Sequence, residues 1–133
     1  MESTRYCNYS KDKFSNEITC IIPVWSDLSE GAYNYDNTEE WTNIIQPDRI
    51  ALKNFVCAEY CYFKALNGGW TPQQAATVLP NDLKADIVVT GFVKDWKHIY
   101  DLRVKGTTGA PHPQMKALIE PVYNEFVKRG YVQ

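Results

Sequence analysis

The feature that most constrains the fold is a long apolar repeat with helical spacing in the middle of the chain. From near Asp48 onward, apolar side chains recur mostly three or four positions apart: Leu52, Phe55, Val56, Tyr60, Phe63 and Leu66. The pattern stops at Gly68-Gly69, and glycine commonly ends a helix. Because side chains at this spacing share one face, the sequence predicts a long, mostly buried helix from Asp48 to Leu66.

Three further helices are predicted after this one. Thr71-Pro72-Gln73-Gln74 has the chemistry of a helix start, with Thr71 as N-cap, Pro72 at the first position and Gln74 closing a capping box. Pro80 ends that helix. Helical spacing returns from Val93 to Leu102, and Pro113 begins a last helix after the loop from Gly106 to Ala110. The apolar face predicted for the last helix is Met115, Leu118, Val122 and Phe126.

Two β-branched segments predict strands. One runs from Asn16 to Pro23, with Arg5 to Tyr9 as its possible partner strand, and the other is Ile87-Val88-Val89-Thr90. We therefore expect a single α+β domain over residues 1–133, with strands packed on the long central helix. A two-stranded hairpin with an exposed apolar edge is marginal alone, so we expect the chain to form oligomers.

Composition limits the functional classes. Fourteen Lys and Arg residues against sixteen Asp and Glu residues give a net charge of -2, which argues against nucleic-acid or membrane-surface partners. No apolar stretch is long enough for a membrane span or a signal peptide, so we expect a cytoplasmic protein. Cys57 and Cys61 could hold half of a metal site, but no nearby His or acidic cluster completes it. We expect reduced cysteines and no metal.

Several short segments of the chain follow the same order as similar segments in a known enzyme family. They are Ala76-Thr77-Val78-Leu79-Pro80, Thr90-Gly91, Asp101-Leu102-Arg103, His112-Pro113-Gln114 and, near the start, Glu2-Ser3-Thr4-Arg5-Tyr6. Over nearly its whole length the chain resembles the flavin-dependent thymidylate synthases, whose signature is an Arg-His-Arg triplet followed by a serine. The triplet is missing because Met1 falls inside the motif, and Ala76 stands where the family usually has an arginine. We therefore expect an N-terminally truncated or divergent member.

The resemblance implies a reaction and its ligands. In the family, FAD takes electrons from NADPH, and dUMP is methylated to dTMP with a carbon from methylenetetrahydrofolate. The resemblance also implies the family fold without its N-terminal part, and a homotetramer whose active sites draw on several subunits. The expected cofactor is thus FAD, and the expected co-substrates are NADPH and methylenetetrahydrofolate.

Three residues are expected to bind the nucleotide substrate. Ser3 and Arg5 are two positions apart, so in an extended segment they project to the same side, and the resemblance implies that both contact dUMP. Arg103 matches a nucleotide-binding arginine of the family, and we take it as both a substrate-binding and a catalytic residue. Its planar guanidinium suits bidentate contact with an anionic oxygen. The alternative is an arginine that satisfies the last carbonyls of its helix.

Three more residues are expected to contact the flavin. His112 matches a family histidine that lies against the flavin, and the alternative is a surface histidine that caps the last helix. Lys94 and His98 fall where the family often has polar flavin contacts, although the residue types differ from the usual ones.

Two functions of other classes remain open. With Ala76 in place of the usual arginine, one phosphate contact is lost. This favours a non-catalytic protein that binds a nucleotide in order to sequester it or to serve a regulatory role. The other possibility is a structural or interaction protein in which the tryptophans only fill a core or an interface: Trp25, Trp41, Trp70 and Trp96.

Overall fold

The computed structural model describes residues 17–36 and 41–133. Its helices are α1 (Asp48–Asn67), α2 (Pro72–Ala75), α3 (Val93–Tyr100) and α4 (Pro113–Lys128), with a 3-10 turn Ala76–Val78 after α2 and a π-helical turn Asp101–Lys105 after α3. The chain divides into two compact units, Met1–Ile87 and Val88–Gln133. None of the helices in the described ranges is long and apolar enough to cross a membrane.

Helix α1 confirms the central prediction, including its end. At the start, the Asp48 carboxylate accepts a hydrogen bond from the Asp27 N–H at 2.9 Å. At the end, the Trp70 N–H donates to the Ala65 carbonyl and the Gly69 N–H to the Leu66 carbonyl, each at 3.0 Å. This pair of bonds is a Schellman motif, and it requires the left-handed φ of +96° that Gly69 supplies without strain.

The buried face of α1 differs in part from the predicted one. Leu52 and Val56 are buried as predicted, and with Trp41 they form one apolar cluster. The prediction was wrong at Tyr60, whose exposed ring stacks on Tyr35 at 4.5 Å between centroids. Tyr62 is fully buried instead and forms a second cluster with Ala75. Helical spacing fixes which residues share a face, but the position of α2 decides which face is covered.

Helix α2 confirms the predicted capping box. The Gln74 N–H donates to Thr71 Oγ1 at 3.3 Å, and the Thr71 N–H donates to Gln74 Oε1 at 2.9 Å. Pro72 occupies the first turn, where its missing N–H costs nothing. The 3-10 turn that follows ends before Pro80.

The α+β prediction was wrong, because the described part of the chain is helical and contains no sheet. Within the predicted strand Asn16–Pro23, the described residues form one antiparallel bridge, Cys20 to Leu83, supported by Ile21 N–H to Asp82 O and Lys84 N–H to Thr19 O at 2.8 Å each. Ile87–Thr90 is exposed, forms no helix or strand, and has no bridge partner among the described residues. β-branched residues favour a pleated, half-buried surface, and without a neighbouring strand the preference makes no sheet. The predicted strand from Arg5 to Tyr9 lies outside the described residues.

The second unit, Val88–Gln133, is held by an aromatic cluster. Tyr100 at the end of α3 is buried, and its ring lies 5.1 Å from Tyr123 and 5.5 Å from Phe126 on α4 between centroids. Trp96 lies 5.9 Å from both Tyr100 and Phe126. Both helices begin where the sequence predicted, and the aromatic contacts pack them together.

Helix α4 ends in a capping motif, and most of its predicted apolar face is exposed. Gly130, in a left-handed conformation, and Tyr131 close a second Schellman motif, with the Tyr131 N–H donating to the Phe126 carbonyl. Of the predicted apolar face, only Phe126 joins the aromatic cluster. Three members stay exposed within the described structure: Met115, Leu118 and Val122.

Candidate functional site

Four of the predicted site residues lie in the second unit. Lys94 and His98 are on α3, Arg103 is on the π-helical turn that continues it, and His112 precedes α4. Ser3 and Arg5 lie outside the described residues. The candidate site is therefore built on the elements from α3 to the start of α4.

Arg103 is an exposed cation that the fold leaves uncommitted. Arg49 donates to the Trp41 and Thr42 carbonyls, and Arg129 binds the Glu125 carboxylate at 2.6 Å. Of the three arginine side chains that the structure describes, that of Arg103 alone has no hydrogen bond or ion pair. The alternative in which its guanidinium satisfies the last helix carbonyls is therefore not realised. Its five N–H donors are available to an anionic ligand.

His112 begins α4 through its backbone and not through its side chain. Its carbonyl accepts the Lys116 N–H at 2.9 Å, whereas its imidazole makes no capping hydrogen bond. His112 is thus an exposed N-cap residue, as in the alternative interpretation, but its side chain makes no capping bond. Because Pro113 follows, the N–H groups of Gln114 and Met115 come next in the first turn and have no acceptor within the helix. The exposed imidazole thus lies beside the positive end of a helix.

Lys94 and His98 are one helical turn apart on α3 and share an exposed face. The Lys94 ammonium lies over the Phe92 ring at 5.7 Å from its centroid. The Phe92 N–H donates to Asp95 Oδ2 at 3.1 Å, which fixes the start of the helix. This face can offer an ammonium and an imidazole to a ligand.

The charge of the second unit favours anionic ligands. From Val88 to Gln133 the sequence has seven Lys and Arg residues against four Asp and Glu residues, a balance of +3 in a chain whose total is -2. All four carboxylates already have partners: Asp95 caps α3, and the other three form ion pairs, Asp101 with Lys105, Glu120 with Lys116 and Glu125 with Arg129. The uncompensated charge of this unit is therefore positive, and an anion gains from approaching it.

The first unit contains a cleft with the opposite character. It has a volume of about 770 Å³, with Leu52, Phe55 and Val56 of α1 among its lining residues. The charged side chains among its described lining residues are Glu17, Glu30, Glu59 and Lys84. An excess of carboxylates opposes binding of a phosphate. None of the predicted site residues is among the described lining residues.

Cys20 lines this cleft, and its environment makes the thiol a poor nucleophile. Burial, and after it the negative charges of Asp82 and Glu59, raise the pKa of Cys20 to about 11. The thiolate is the reactive form of cysteine, so Cys20 stays protonated and unreactive near neutral pH.

The π-helical turn that carries Arg103 was not predicted from the sequence. The predicted helix ended at Leu102, just before Arg103, and the predicted loop ran from Gly106 to Ala110, with no role for Asp101, Gly106 or Thr107. The structure joins these three by hydrogen bonds around the π-helical turn. The basic residues Arg103 and Lys105 followed by Gly106 are a recognisable helix-end signal that could have indicated the turn.

The model of the family described as thymidylate synthase complementing protein matches residues 1–129. No curated protein and no solved structure matches the chain.

Proposed function

We propose, from the premise that this chain belongs to the thymidylate synthase complementing protein family, that it binds dUMP and methylates it to dTMP with methylenetetrahydrofolate and NADPH. The observation that carries the proposal is the uncommitted guanidinium of Arg103 in a unit whose carboxylates are all paired. dUMP is a dianionic phosphate ester with a uracil ring that accepts hydrogen bonds. A planar, permanently charged donor suits both parts of it.

Arg103 has two tasks in this proposal. It holds the nucleotide through charge-assisted hydrogen bonds, and it stabilises negative charge that develops on a uracil oxygen during the reaction. Such contacts are worth about 1.5–3 kcal/mol each. Ser3 and Arg5 are also proposed to bind dUMP, as the family resemblance implies.

The residues of the second unit also fit a flavin dinucleotide. Its diphosphate needs cations and N–H donors, and the donors at hand are the Lys94 ammonium, the His98 and His112 imidazoles and the first N–H groups of α4. When bound and reduced by NADPH, FAD would supply the hydride for the reaction. The role of the protein side chains is to bind and orient the ligands.

The test is nucleotide binding by Arg103→Ala. Calorimetric titration with dUMP, with and without FAD, should show about 10- to 100-fold weaker binding for this variant than for the wild type. Arg129→Ala is the matched control, since it removes an exposed arginine of the same unit that is already paired with Glu125. Equal affinities for wild type and Arg103→Ala would refute the proposed site. NADPH-dependent tritium release from labelled dUMP would establish the reaction.

A second candidate function is nucleotide binding without turnover. The position where the family usually has a phosphate-binding arginine is Ala76, which opens the half-buried 3-10 turn and offers no charge. Losing one such contact would weaken phosphate binding by about one to two decades. Binding of dUMP that needs no flavin and produces no tritium release would favour this candidate over the synthase.

We also propose that the chain works as a homo-oligomer, with a tetramer as the expected form. The support is the set of large apolar side chains left exposed in the second unit, among them Val88, Phe92 and Leu118. Contiguous exposed apolar surface commonly marks an interface. Light scattering on the protein as it elutes from a size-exclusion column should give the mass of several chains. A monomer mass at every protein concentration tested would refute the oligomer.

A further inference from the structure

The turn that carries Arg103 has an unusual backbone. Asp101–Lys105 continues α3 directly but as a π-helical turn, in which the Gly106 N–H donates to the Asp101 carbonyl five residues earlier. Such turns are rare and are frequent at functional sites. The wider turn changes the direction of the Arg103 side chain from the one that a continued α-helix would give it. Whatever holds the turn therefore sets where the guanidinium points.

The Asp101 carbonyl is the acceptor on which this turn is built. Besides the Gly106 N–H, it accepts the Thr107 N–H at 3.0 Å and the Thr107 hydroxyl at 3.2 Å. This carbonyl oxygen therefore accepts hydrogen bonds from three donors, and two of the three belong to Thr107. Thr107 thus fastens the start of the following loop to the first residue of the turn.

Two of the three charged side chains of the turn have partners within this unit, and Arg103 is the exception. The Asp101 carboxylate binds the Lys105 ammonium at 3.2 Å, and that ammonium lies 5.5 Å from the centroid of the Tyr123 ring on α4. Lys105 is therefore engaged on both sides. Arg103 lies between these two residues in sequence and has no partner within residues 17–36 and 41–133.

The space around Gly106, at the end of the turn, has no room for a side chain. Its φ is +71°, in the left-handed region, and an added Cβ would lie 2.8 Å from the Gly109 carbonyl oxygen and 3.0 Å from Pro111 Cδ. The first of these contacts is with backbone, which cannot move aside as a flexible side chain can. The loop that leads to His112 is therefore packed tightly against the end of the π-helical turn.

We propose that Thr107 is a positioning residue for nucleotide binding, which holds the π-helical turn in the shape that presents Arg103 to the phosphate or uracil oxygens of a nucleoside monophosphate. The inference rests on the proposed function, since it requires Arg103 to contact the nucleotide. Thr107 acts through the Asp101 carbonyl and does not itself touch the ligand.

The experiment is a double-mutant cycle measured as dUMP affinity, by calorimetry with FAD present. Thr107→Val keeps the shape of the side chain and removes the hydroxyl, so we expect affinity to fall about 3- to 10-fold, whereas Thr107→Ser, which keeps the hydroxyl, should bind nearly as the wild type does. Thr108→Val is the matched control and should change nothing. In an Arg103→Ala background, Thr107→Val should cause no further loss.

The cycle separates a positioning role from a merely structural one. An equal loss from Thr107→Val with and without Arg103 would overturn the inference, and so would no loss in the presence of Arg103. If Arg103→Ala alone weakens binding while Thr107→Val does not, the inference fails and the proposed function stands. If Arg103→Ala binds as the wild type does, both fail.

Gly106→Ala gives a second, stronger perturbation of the same turn. The clash with the Gly109 carbonyl oxygen must move the turn or the loop, so the loss of affinity should exceed that of Thr107→Val. Far-UV circular dichroism confirms that each variant keeps its helices. Wild-type affinity in a folded Gly106→Ala variant would overturn the inference independently.

Discussion

The hydroxyl of Tyr100 should be a net cost to stability, and removing it should make the protein more stable. Tyr100 is 1% exposed, and its hydroxyl has no hydrogen-bond partner in the described part of the chain. Burial raises the pKa of this hydroxyl above its usual value, as expected of a polar group in apolar surroundings. A buried, unsatisfied hydroxyl costs about 1–3 kcal/mol, because its bonds to water are lost on folding.

The magnitude follows from what Tyr100→Phe keeps and what it removes. The ring contacts with Trp96, Tyr123 and Phe126 remain, at 5.1 to 5.9 Å between centroids, so the apolar contribution is unchanged. We expect a gain of about 1 kcal/mol in the free energy of unfolding, or about 4 °C in Tm. Tyr100→Ala, which removes the ring as well, should cost about 3–5 kcal/mol.

The assay is urea and thermal unfolding followed by circular dichroism at neutral pH. Tyr123→Phe is the matched control, because that side chain is only half-buried and its hydroxyl has no bond among the described residues. It should change stability by less than about 0.5 kcal/mol. A loss of 1 kcal/mol or more in Tyr100→Phe would show that the hydroxyl has a partner, and the reasoning from burial would be wrong.

Two further predictions concern pH and assembly. Because the pKa of Cys20 is raised from 9.0 to about 11, the native state keeps a proton that the unfolded chain releases. The resulting stability is complete below pH 9 and is lost as the pH rises towards 11, so Cys20→Ala should flatten this part of the stability curve in urea titrations; an unchanged slope would contradict it. Leu118→Glu places a charge in the exposed stripe of α4 and should lower the mass measured by light scattering, while Lys128→Glu on the same helix should not. Equal masses would exclude that stripe from the interface.

Helix boundaries could be predicted from the sequence because their chemistry is local. Thr71 and Gln74 satisfy each other's hydrogen bonds within one turn, and Gly69 takes a left-handed conformation that a residue with a side chain adopts only with strain. The strand predictions were wrong because a strand depends on contacts that are not local. Val88 and Val89 favour an extended backbone, but a strand needs another strand beside it, and no local pattern supplies one.

The candidate site was predictable in part. Arg103 and His112 were identified by their place in a family pattern, and their roles stay predictions. The excess of basic residues in the second unit is visible in the sequence as a charge asymmetry between the two halves, but the total charge of -2 conceals it. The π-helical turn and its bonds from Thr107 to Asp101 depend on geometry that spacing does not encode.

The sequence by itself determined the family, the order of the helices and where most of them begin and end. Tertiary structure alone decided that Tyr62 and not Tyr60 is buried, and that Leu118 remains exposed. It also decided that Arg103 is the described arginine left without a partner. The physical reason is the same in each case. Capping and backbone conformation depend on atoms a few residues apart, whereas burial and pairing depend on which distant segments come into contact.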